Sequence, residues 1–211
     1  AENTLRNAAF QVASIITTTG YSSVNFDLWP EFSRAILVLL MFIGACAGST
    51  GGGLKVSRIV MAGKSMLSTL GSYLHPRAVR RIRFEGKDVE DGTMRAIYGY
   101  FAGAFGIFVI SLLIVSLENI DLVSTFTAVA TTFNNVGPAL GFAGPTSNFS
   151  GFSVLSKSVM IFDMLAGRLE VFPMLMLVYP PLWKESIIEM RRRRSRGVRW
   201  ARKRMMKKTL F

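Results

Sequence analysis

The chain has 211 residues, half of them hydrophobic, and its mean hydropathy of +0.37 is high for a soluble domain but ordinary for a membrane protein with polar segments. Its formal charge is +12 at pH 7, and it contains one cysteine and one histidine. These counts exclude an intrachain disulfide, a thiolate metal cluster and a multi-histidine metal site. The composition therefore favours a membrane protein over a metalloenzyme.

The first predicted element is a short apolar segment, Leu5 to Ile16, whose hydrophobic side chains recur at helical spacing. A helix needs about 20 residues to cross a hydrocarbon core of about 30 Å, so this one is expected to enter the membrane and stop inside it. The sequence TTTGY follows at residues 17–21, the first pore loop, and an apolar run from Phe32 to Ala47 comes next. Cation-selective pores use this order of half-helix, polar loop and full helix to bring backbone carbonyls to the membrane axis.

A glycine-rich segment follows, and it consists of Gly48, Ser49, Thr50, Gly51, Gly52 and Gly53. Each glycine in a helix costs about 1 kcal/mol relative to alanine, so we expect the helix to reach Ala47, break here and resume from Leu54 to Leu70. The spacing partly matches the phosphate-binding motif G-x-x-x-x-G-K-[ST], but Leu54 stands before Lys55 and Val56 replaces the hydroxyl residue. The segment therefore favours a gate over a nucleotide site.

The second half of the chain repeats this order of elements. Residues 71–93 are predicted to form a basic cytoplasmic linker, and Met94 to Leu117 is a continuous apolar span. A second short apolar segment, Leu122 to Phe133, leads into the sequence NNVGP at residues 134–138, the second pore loop. The last span is predicted from Val154 to Val178.

The basic residues lie in two blocks. Residues 50–95 contain nine of the 25 lysines and arginines and residues 183–211 contain twelve, whereas residues 118–152 contain none. By the positive-inside rule, both blocks face the cytoplasm and residues 118–152 face outward. The tail at residues 183–211 directly follows a span, where a basic run more often serves topology and contacts with anionic lipid than nucleic-acid binding.

Two ordered matches relate the halves of the chain. Gly20 and Gly137 are 117 residues apart, and the stretches that begin at Met41 and Met160 align without a gap at an offset of 119 residues. The halves therefore form a parallel repeat. A ring of carbonyls around one axis needs more than two loops, so we expect four, with the first two pore repeats located upstream or in another chain.

The two pore loops supply the residues that are predicted to coordinate an ion. Glycine permits the backbone angles that turn carbonyls inward, threonine hydroxyls can supplement them, and the carboxyl ends of the half-helices favour a cation. The predicted filter residues are Thr18, Thr19, Gly20, Tyr21, Asn135, Val136, Gly137 and Pro138.

Arg168 holds the position in the second repeat that Ser49 holds in the first, so the alignment puts it at the depth of the glycine-rich segment. We expect it to bond to carbonyls of that segment and to block cations until the segment moves. The structural alternative is an ion pair with Glu170 or Asp163.

The chain resembles the TrkH/TrkG/KtrB family of bacterial potassium uptake proteins in four ordered motifs, TTTGYSSVNF, GACAGSTGGGLK, FNNVGPALG and MLAGRLEVF. The resemblance implies an all-α protein of the bacterial inner membrane, built from repeats of helix, re-entrant pore loop and helix. It implies that residues 1–70 belong to the third repeat from its pore helix onward, 71–93 to a linker, 94–182 to the fourth repeat and 183–211 to a basic cytoplasmic tail.

The same resemblance implies K+ as the transported ion, filter loops that end at Gly20 and Gly137, and a gate formed by Gly48–Gly53 and Arg168. It also implies homodimers, a cytosolic nucleotide-binding partner ring of the TrkA or KtrA type, and no cofactor in this chain. We therefore predict a transporter rather than an enzyme. The rival interpretation is a non-conducting regulatory or anchoring membrane subunit whose basic tail recruits lipid, protein or nucleic acid.

Overall fold

The computed structural model describes residues 2–44, 52–74, 83–84 and 86–169, and the structural statements below concern these residues. Its helices are α1 (Glu2–Ile16), α2 (Glu31–Phe42), α3 (Val56–Leu74), α4 (Asp91–Val115), α5 (Leu122–Phe133) and α6 (Val154–Leu169). Its strands form two short pairs, β1 (Ile43–Gly44) parallel to β2 (Leu54–Lys55) and β3 (Arg83–Phe84) antiparallel to β4 (Lys87–Asp88). The predicted all-α class is confirmed.

Both predicted half-helices are present. α1 begins at Glu2, three residues before the predicted start, and α5 has the predicted bounds. With 15 and 12 residues at about 1.5 Å per residue, both are too short to cross a hydrocarbon core of about 30 Å. Asp121 caps α5, because its carboxylate accepts a hydrogen bond from the Ser124 backbone N–H at 2.9 Å. Hydrogen bonds from the Ser124 side chain and backbone hold the pKa of Asp121 below its ordinary value.

α4 is the one helix in the described part of the chain that is long and apolar enough to cross a membrane. With the short 3-10 turn that follows it, the helical segment Gly92–Glu118 has 27 residues and contains an 18-residue stretch with a mean hydropathy of 2.3, which suits a bilayer span. Phe108 on this helix packs edge to face against Phe42 of α2 and Phe126 of α5, with ring centroids 5.6 and 5.4 Å apart. This aromatic cluster fixes α4 against both repeats.

The prediction that the apolar run after the first pore loop is helical as far as Ala47 is wrong. α2 ends at Phe42, and the two residues that follow form β1, which pairs in parallel with β2. The backbones approach so closely that a Cβ at Gly44 would lie 2.4 Å from the carbonyl oxygen of Gly52. The break therefore starts earlier than the glycine-rich segment, of which four residues lie outside the described ranges, namely Gly48, Ser49, Thr50 and Gly51.

The predicted linker at residues 71–93 is shorter in the structure. α3 continues to Leu74 and α4 already begins at Asp91. The β3–β4 pair lies between them, and Lys64 of α3 donates a hydrogen bond from Nζ to the Arg83 carbonyl at 3.0 Å. The last predicted span is described only as far as Leu169, and the basic tail lies outside the described residues.

The hydrophobic core lies where the two repeats meet. It joins α1 and α2 of the first repeat to the second pore loop, and every member is at most 3% exposed. Its members are Ile15, Phe26, Leu37, Met41, Val136 and Leu140. Each repeat therefore completes the packing of the other.

The pattern of burial supports the alignment of α2 with α6. Three positions in each copy of the repeat are buried at the same offset of 119 residues. They are Leu37, Met41 and Gly44 in the first copy and Ser156, Met160 and Asp163 in the second. The two helices therefore present equivalent faces to the half-helices, although α2 breaks at Gly44 and α6 continues past Asp163.

Candidate functional site

The first pore loop begins with a defined hydrogen-bonded turn at the end of α1. The Thr18 backbone N–H donates to the Ile15 carbonyl at 3.1 Å, and the Thr19 N–H donates to the Ser14 carbonyl at 2.9 Å. These two bonds constitute a Schellman motif, which satisfies the last carbonyls of a helix and reverses the direction of the chain. The turn therefore ends α1 and begins the first pore loop.

The second pore loop leaves α5 by the same turn. The Asn135 N–H donates to the Thr132 carbonyl at 3.1 Å, and the Val136 N–H donates to the Thr131 carbonyl at 2.9 Å. Each donor and acceptor is 117 residues after its counterpart in the first loop. The backbone therefore repeats at the offset that was predicted from the two glycines.

Two non-glycine residues adopt left-handed backbone at the equivalent position of these turns. Thr18 has φ of 53° and Asn135 has φ of 56°. Asparagine tolerates this region, but a β-branched residue adopts it rarely, and such a residue costs about 1–3 kcal/mol. Strain of this kind collects at functional sites, where surrounding structure enforces it.

The structure brings the two predicted filter glycines together. Gly20 has φ of 80° and Gly137 has φ of 120°, so both use backbone that glycine adopts freely. A Cβ at Gly20 would lie 2.2 Å from the Val136 carbonyl oxygen, and a Cβ at Gly137 would lie 3.6 Å from the Gly20 Cα. The two loops therefore face each other at Gly20, Val136 and Gly137.

The other predicted filter residues lie around this contact. The Pro138 ring would be 3.4 Å from a Cβ at Gly20, and the side chain of Val136 is buried in the core. The Thr19 hydroxyl bonds to the Thr17 hydroxyl at 2.8 Å. Tyr21, the last residue of the first loop, is 73% exposed.

Polar side chains of α1 hold the first pore loop from behind, and sequence reasoning missed them. The Ser14 hydroxyl donates to the Tyr21 carbonyl at 2.6 Å. The Gln11 side-chain oxygen accepts a hydrogen bond from the Ser23 N–H at 3.2 Å. Ser14 and Gln11 are both almost fully buried, so these bonds are shielded from solvent.

Polar side chains of α5 hold the second pore loop in the same way. The Thr131 hydroxyl accepts a hydrogen bond from the Gly137 N–H at 2.9 Å, and the Thr127 hydroxyl accepts one from the Leu140 N–H at 3.1 Å. The signal in the sequence was a stripe of polar residues on each apolar half-helix at helical spacing. The stripes consist of Asn7, Gln11 and Ser14 on α1 and of Ser124, Thr127 and Thr131 on α5.

The glycine-rich segment and α6 both meet the second pore loop at the end of α5. A Cβ at Gly52 would lie 2.4 Å from the Asn134 carbonyl oxygen, and a Cβ at Gly167 would lie 1.7 Å from the Phe133 carbonyl oxygen. Only glycine permits such close contact between backbones. Gly52 of the predicted gate and Gly167, the neighbour of Arg168, thus both lie against the start of the second pore loop.

Arg168 follows Gly167 in the last turn of α6, and its side chain is exposed in the described part of the chain. The neighbouring end of α5 carries the partial negative charge of a helix carboxyl terminus, which favours a cation nearby. Asp163 is fully buried and accepts a hydrogen bond from the Ser111 hydroxyl of α4 at 2.6 Å. Glu170, the other partner considered for Arg168, lies outside the described residues.

A polar clamp joins the outer loops of the two repeats. The Asp27 carboxylate accepts a hydrogen bond from the Gly141 backbone N–H at 3.1 Å. The same carboxylate lies 3.4 Å from an Arg34 guanidinium nitrogen, and Arg34 also pairs with Glu31. The clamp fixes the distance between the repeats on the side where the pore loops open.

Comparison with known proteins gives consistent matches. The family model for TrkH, described as a cation transport protein, matches residues 1–184. The chain is 39% identical over 185 residues to the Trk system potassium uptake protein TrkH of Salmonella typhimurium, and the match covers 88% of this chain and 38% of that protein. It is 31% identical over 175 residues to the Trk system potassium uptake protein TrkG of Escherichia coli, with 83% of this chain and 36% of that protein covered.

A solved structure also matches. The crystal structure of the potassium transporter TrkH from Vibrio parahaemolyticus is similar with a TM-score of 0.76 at 40% sequence identity. The match covers 84% of this chain and 37% of that chain. The chain therefore spans less than two fifths of the length of these relatives.

Proposed function

Because this chain belongs to the TrkH family of cation transport proteins, we propose that it forms two of the four pore repeats of a potassium uptake protein of the bacterial inner membrane. The observation that supports this most directly is the contact between the pore loops, where Gly20 faces Val136 and Gly137. Two loops with the same turn, held at the ends of two half-helices, are what a shared ion path requires.

In this proposal a K+ ion exchanges part of its hydration shell for carbonyl oxygens of the two loops, and Rb+ can replace it. The carboxyl ends of α1 and α5 add partial negative charge. The bonds from Ser14 and Thr131 oppose rotation of the loop backbone, so the carbonyls keep the spacing that favours one ion over another. No covalent bond is made or broken.

The gate in this proposal is formed by the glycine-rich segment and Arg168. Gly52 and Gly167 both pack against the carboxyl end of α5, where the second pore loop begins. Arg168 adds a positive charge at that depth, which opposes the passage of a cation. Movement of α6 or of the segment would remove the charge from the path.

The remaining parts of the proposed transporter are partners of this chain. Two further pore repeats complete the ring, and the whole transporter forms a homodimer regulated by a cytosolic nucleotide-binding ring of the TrkA or KtrA type. The basic tail at residues 183–211 contacts anionic membrane lipid at the cytoplasmic surface. These assignments extend the likeness to the Trk system proteins described above.

Uptake of radiolabelled Rb+ into liposomes by the complete transporter tests the proposed function. We expect uptake that unlabelled K+ inhibits and that Na+ inhibits poorly. A reconstituted, folded protein that takes up no Rb+ would instead support the non-conducting regulatory or anchoring subunit.

The gating role is tested by Arg168→Ala in the same liposomes. Removal of the guanidinium should raise the basal Rb+ flux several-fold, because the electrostatic barrier below the filter is lost. Lys157→Ala is the matched control, since it removes a positive charge from the opposite end of the same helix, where the lysine bonds to the Ser150 carbonyl. Equal flux in the Arg168→Ala variant and the wild type would exclude the gate.

A further inference from the structure

We infer that Asn135 is a positioning residue that ties the second pore loop to α6, so that the filter and the gate move together. The inference rests on the proposed function and deepens it, because it names the group through which the two parts are coupled. The Asn135 side-chain amide donates a hydrogen bond from Nδ2 to the Met164 carbonyl at 3.1 Å. Met164 lies one helical turn before Arg168.

The hydrogen bond from the Asn135 amide is accompanied by close packing around the same residue. A Cβ at Gly167 would lie 3.1 Å from the Asn135 amide nitrogen, and a Cβ at Gly52 would lie 2.9 Å from the Asn135 Cβ. Asn135 is thus the one side chain in the described part of the pore loops that contacts α6 through a hydrogen bond and the glycine-rich segment through packing. The glycine-rich segment and the helix that carries Arg168 therefore both meet the second pore loop at this residue.

The backbone of Asn135 explains how a pull on its side chain would reach the ion path. Its φ of 56° places it at the left-handed corner from which the loop leaves α5, and Val136 follows directly. The Val136 carbonyl oxygen is the atom that lies against Gly20. A displacement of α6 must either break the hydrogen bond between Asn135 and the Met164 carbonyl or rotate the backbone at Asn135. Rotation of that backbone moves the Val136 carbonyl.

The first pore loop offers a natural comparison, because Thr18 occupies the same left-handed corner without an amide group. The Thr18 side chain is shorter and carries a hydroxyl, and it makes no hydrogen bond within the described residues. The coupling is therefore a property of the second loop, although the two loops share the same turn. Thermodynamic linkage makes the coupling reciprocal, so an ion in the filter also favours the position of α6 in which the Asn135 hydrogen bond is formed.

The test uses Asn135→Gly and Thr18→Gly in the complete transporter. Glycine keeps the left-handed corner in both cases, and only Asn135→Gly removes the bond to α6. The readout is the K+ concentration that gives half-maximal thermal stabilisation of the purified protein, because an ion that binds the folded state raises its unfolding temperature. Rb+ uptake into liposomes is measured in parallel.

Each substitution is made in the wild type and in the Arg168→Ala background. We expect Asn135→Gly to raise the K+ concentration for half-maximal stabilisation about two- to tenfold, which is the range for one lost hydrogen bond. This shift should be clearly smaller in the Arg168→Ala background, because the gate that the amide senses has been released. The effect of Thr18→Gly should be the same in both backgrounds.

Two results would overturn the inference. One is an Asn135→Gly variant with wild-type K+ dependence, and the other is a shift of the same size with and without Arg168, which would limit Asn135 to a local role in the loop. A wild type that shows uptake and K+ stabilisation identifies either result as a failure of the coupling alone. A wild type that shows neither overturns the proposed function together with the inference.

Discussion

The two half-helices end in the same turn but lie in different surroundings. Nine of the 12 residues of α5 are buried, whereas three of the 15 residues of α1 are. α5 is enclosed by α2, α4 and α6, and its carboxyl end is covered by Gly52 and Gly167. The geometry of a pore loop is therefore set locally by the helix end and by the polar stripe behind the loop, and does not require enclosure.

The enclosure of each half-helix determines which other elements its pore loop contacts. The first loop contacts the second through Gly20, while the second also contacts both parts of the proposed gate. The exposed face of α1, which includes Leu5 and Phe10, would face the other two repeats in the proposed ring. Substitutions that test enclosure should therefore act mainly on the second repeat, and substitutions that test the turn should act on both.

The largest effect is expected from Gly167→Ala. The added methyl group would lie 1.7 Å from the Phe133 carbonyl oxygen, so α6 must move away from α5 at a cost on the order of 3 kcal/mol. We expect the variant to lose most Rb+ uptake and much of its thermal stability. Gly106→Ala is the matched control, because no atom lies within 4 Å of its added methyl group. Equal damage from both substitutions would contradict the close crossing of α5 and α6.

Selectivity should separate the two filter glycines. Gly20→Ser should reduce the preference for K+ over Na+ about tenfold or more, because left-handed backbone costs a serine roughly 1–2 kcal/mol and its Cβ would lie 2.2 Å from the Val136 carbonyl oxygen. Gly137→Ser would also have to adopt strained backbone, at a φ of 120°, but its Cβ would make only an ordinary contact with Gly20, so we expect a smaller effect from strain without a clash. Competition of Na+ and K+ against Rb+ uptake measures the preference, and unchanged preference in Gly20→Ser would count against the filter.

The outer clamp predicts a moderate loss of stability. Asp27→Ala removes the bond to the Gly141 N–H and the pairing with Arg34, and we expect a loss of about 1 kcal/mol in the free energy of unfolding. Glu31→Ala is the control, because its 87% exposed side chain pairs with Arg34 in solvent, where such pairs contribute about 0–1 kcal/mol. Thermal unfolding of the two variants compares them, and a larger loss in Glu31→Ala would show that the clamp does not join the repeats.

The smallest effect is expected at the start of α5. Asp121→Ala should cost about 0.5 kcal/mol of stability at pH 7 through the lost helix cap and leave ion selectivity unchanged. The pKa of Asp121 is lowered from its ordinary 3.8, so its charge-dependent contribution is complete above that pH and is lost as the pH falls through the lowered pKa.

Asp121→Asn serves as the control for this titration. Asparagine is an equally good cap but does not ionise, so the variant should match the wild type at pH 7 and lack its loss of stability below pH 3.8. Melting temperatures across pH 3–7 provide the comparison. A wild type and an Asp121→Asn variant with the same pH dependence would show that the cap does not titrate as described.

Much of the fold follows from patterns that the sequence contains. The lengths of the apolar runs predicted both half-helices and the span at α4, because a bilayer imposes a length on helices. The offset of 117 residues between Gly20 and Gly137 predicted that the two loops share one backbone. Both predictions rest on local spacing, which a single sequence shows directly.

The remaining features depend on contacts between distant residues. α2 ends at Phe42 because the returning backbone near Gly52 pairs there, and the local sequence favoured helix. Left-handed backbone at Thr18 opposes the preference of a β-branched residue, so no propensity could have predicted it. The hydrogen bond from the Asn135 amide to the Met164 carbonyl depends on how α5 crosses α6, and local sequence spacing does not determine that crossing.

The shared core between the repeats has a consequence for biosynthesis. Ile15 and Phe26 pack against Val136 and Leu140, and Asp27 bonds to a backbone N–H 114 residues further along the chain. At a translation rate of about 5–20 residues per second, the first half-helix waits on the order of 10 seconds before its packing partners leave the ribosome. We expect the membrane insertion machinery to shelter it during this interval, and a ribosome stalled before the second loop should leave it sensitive to membrane proteases.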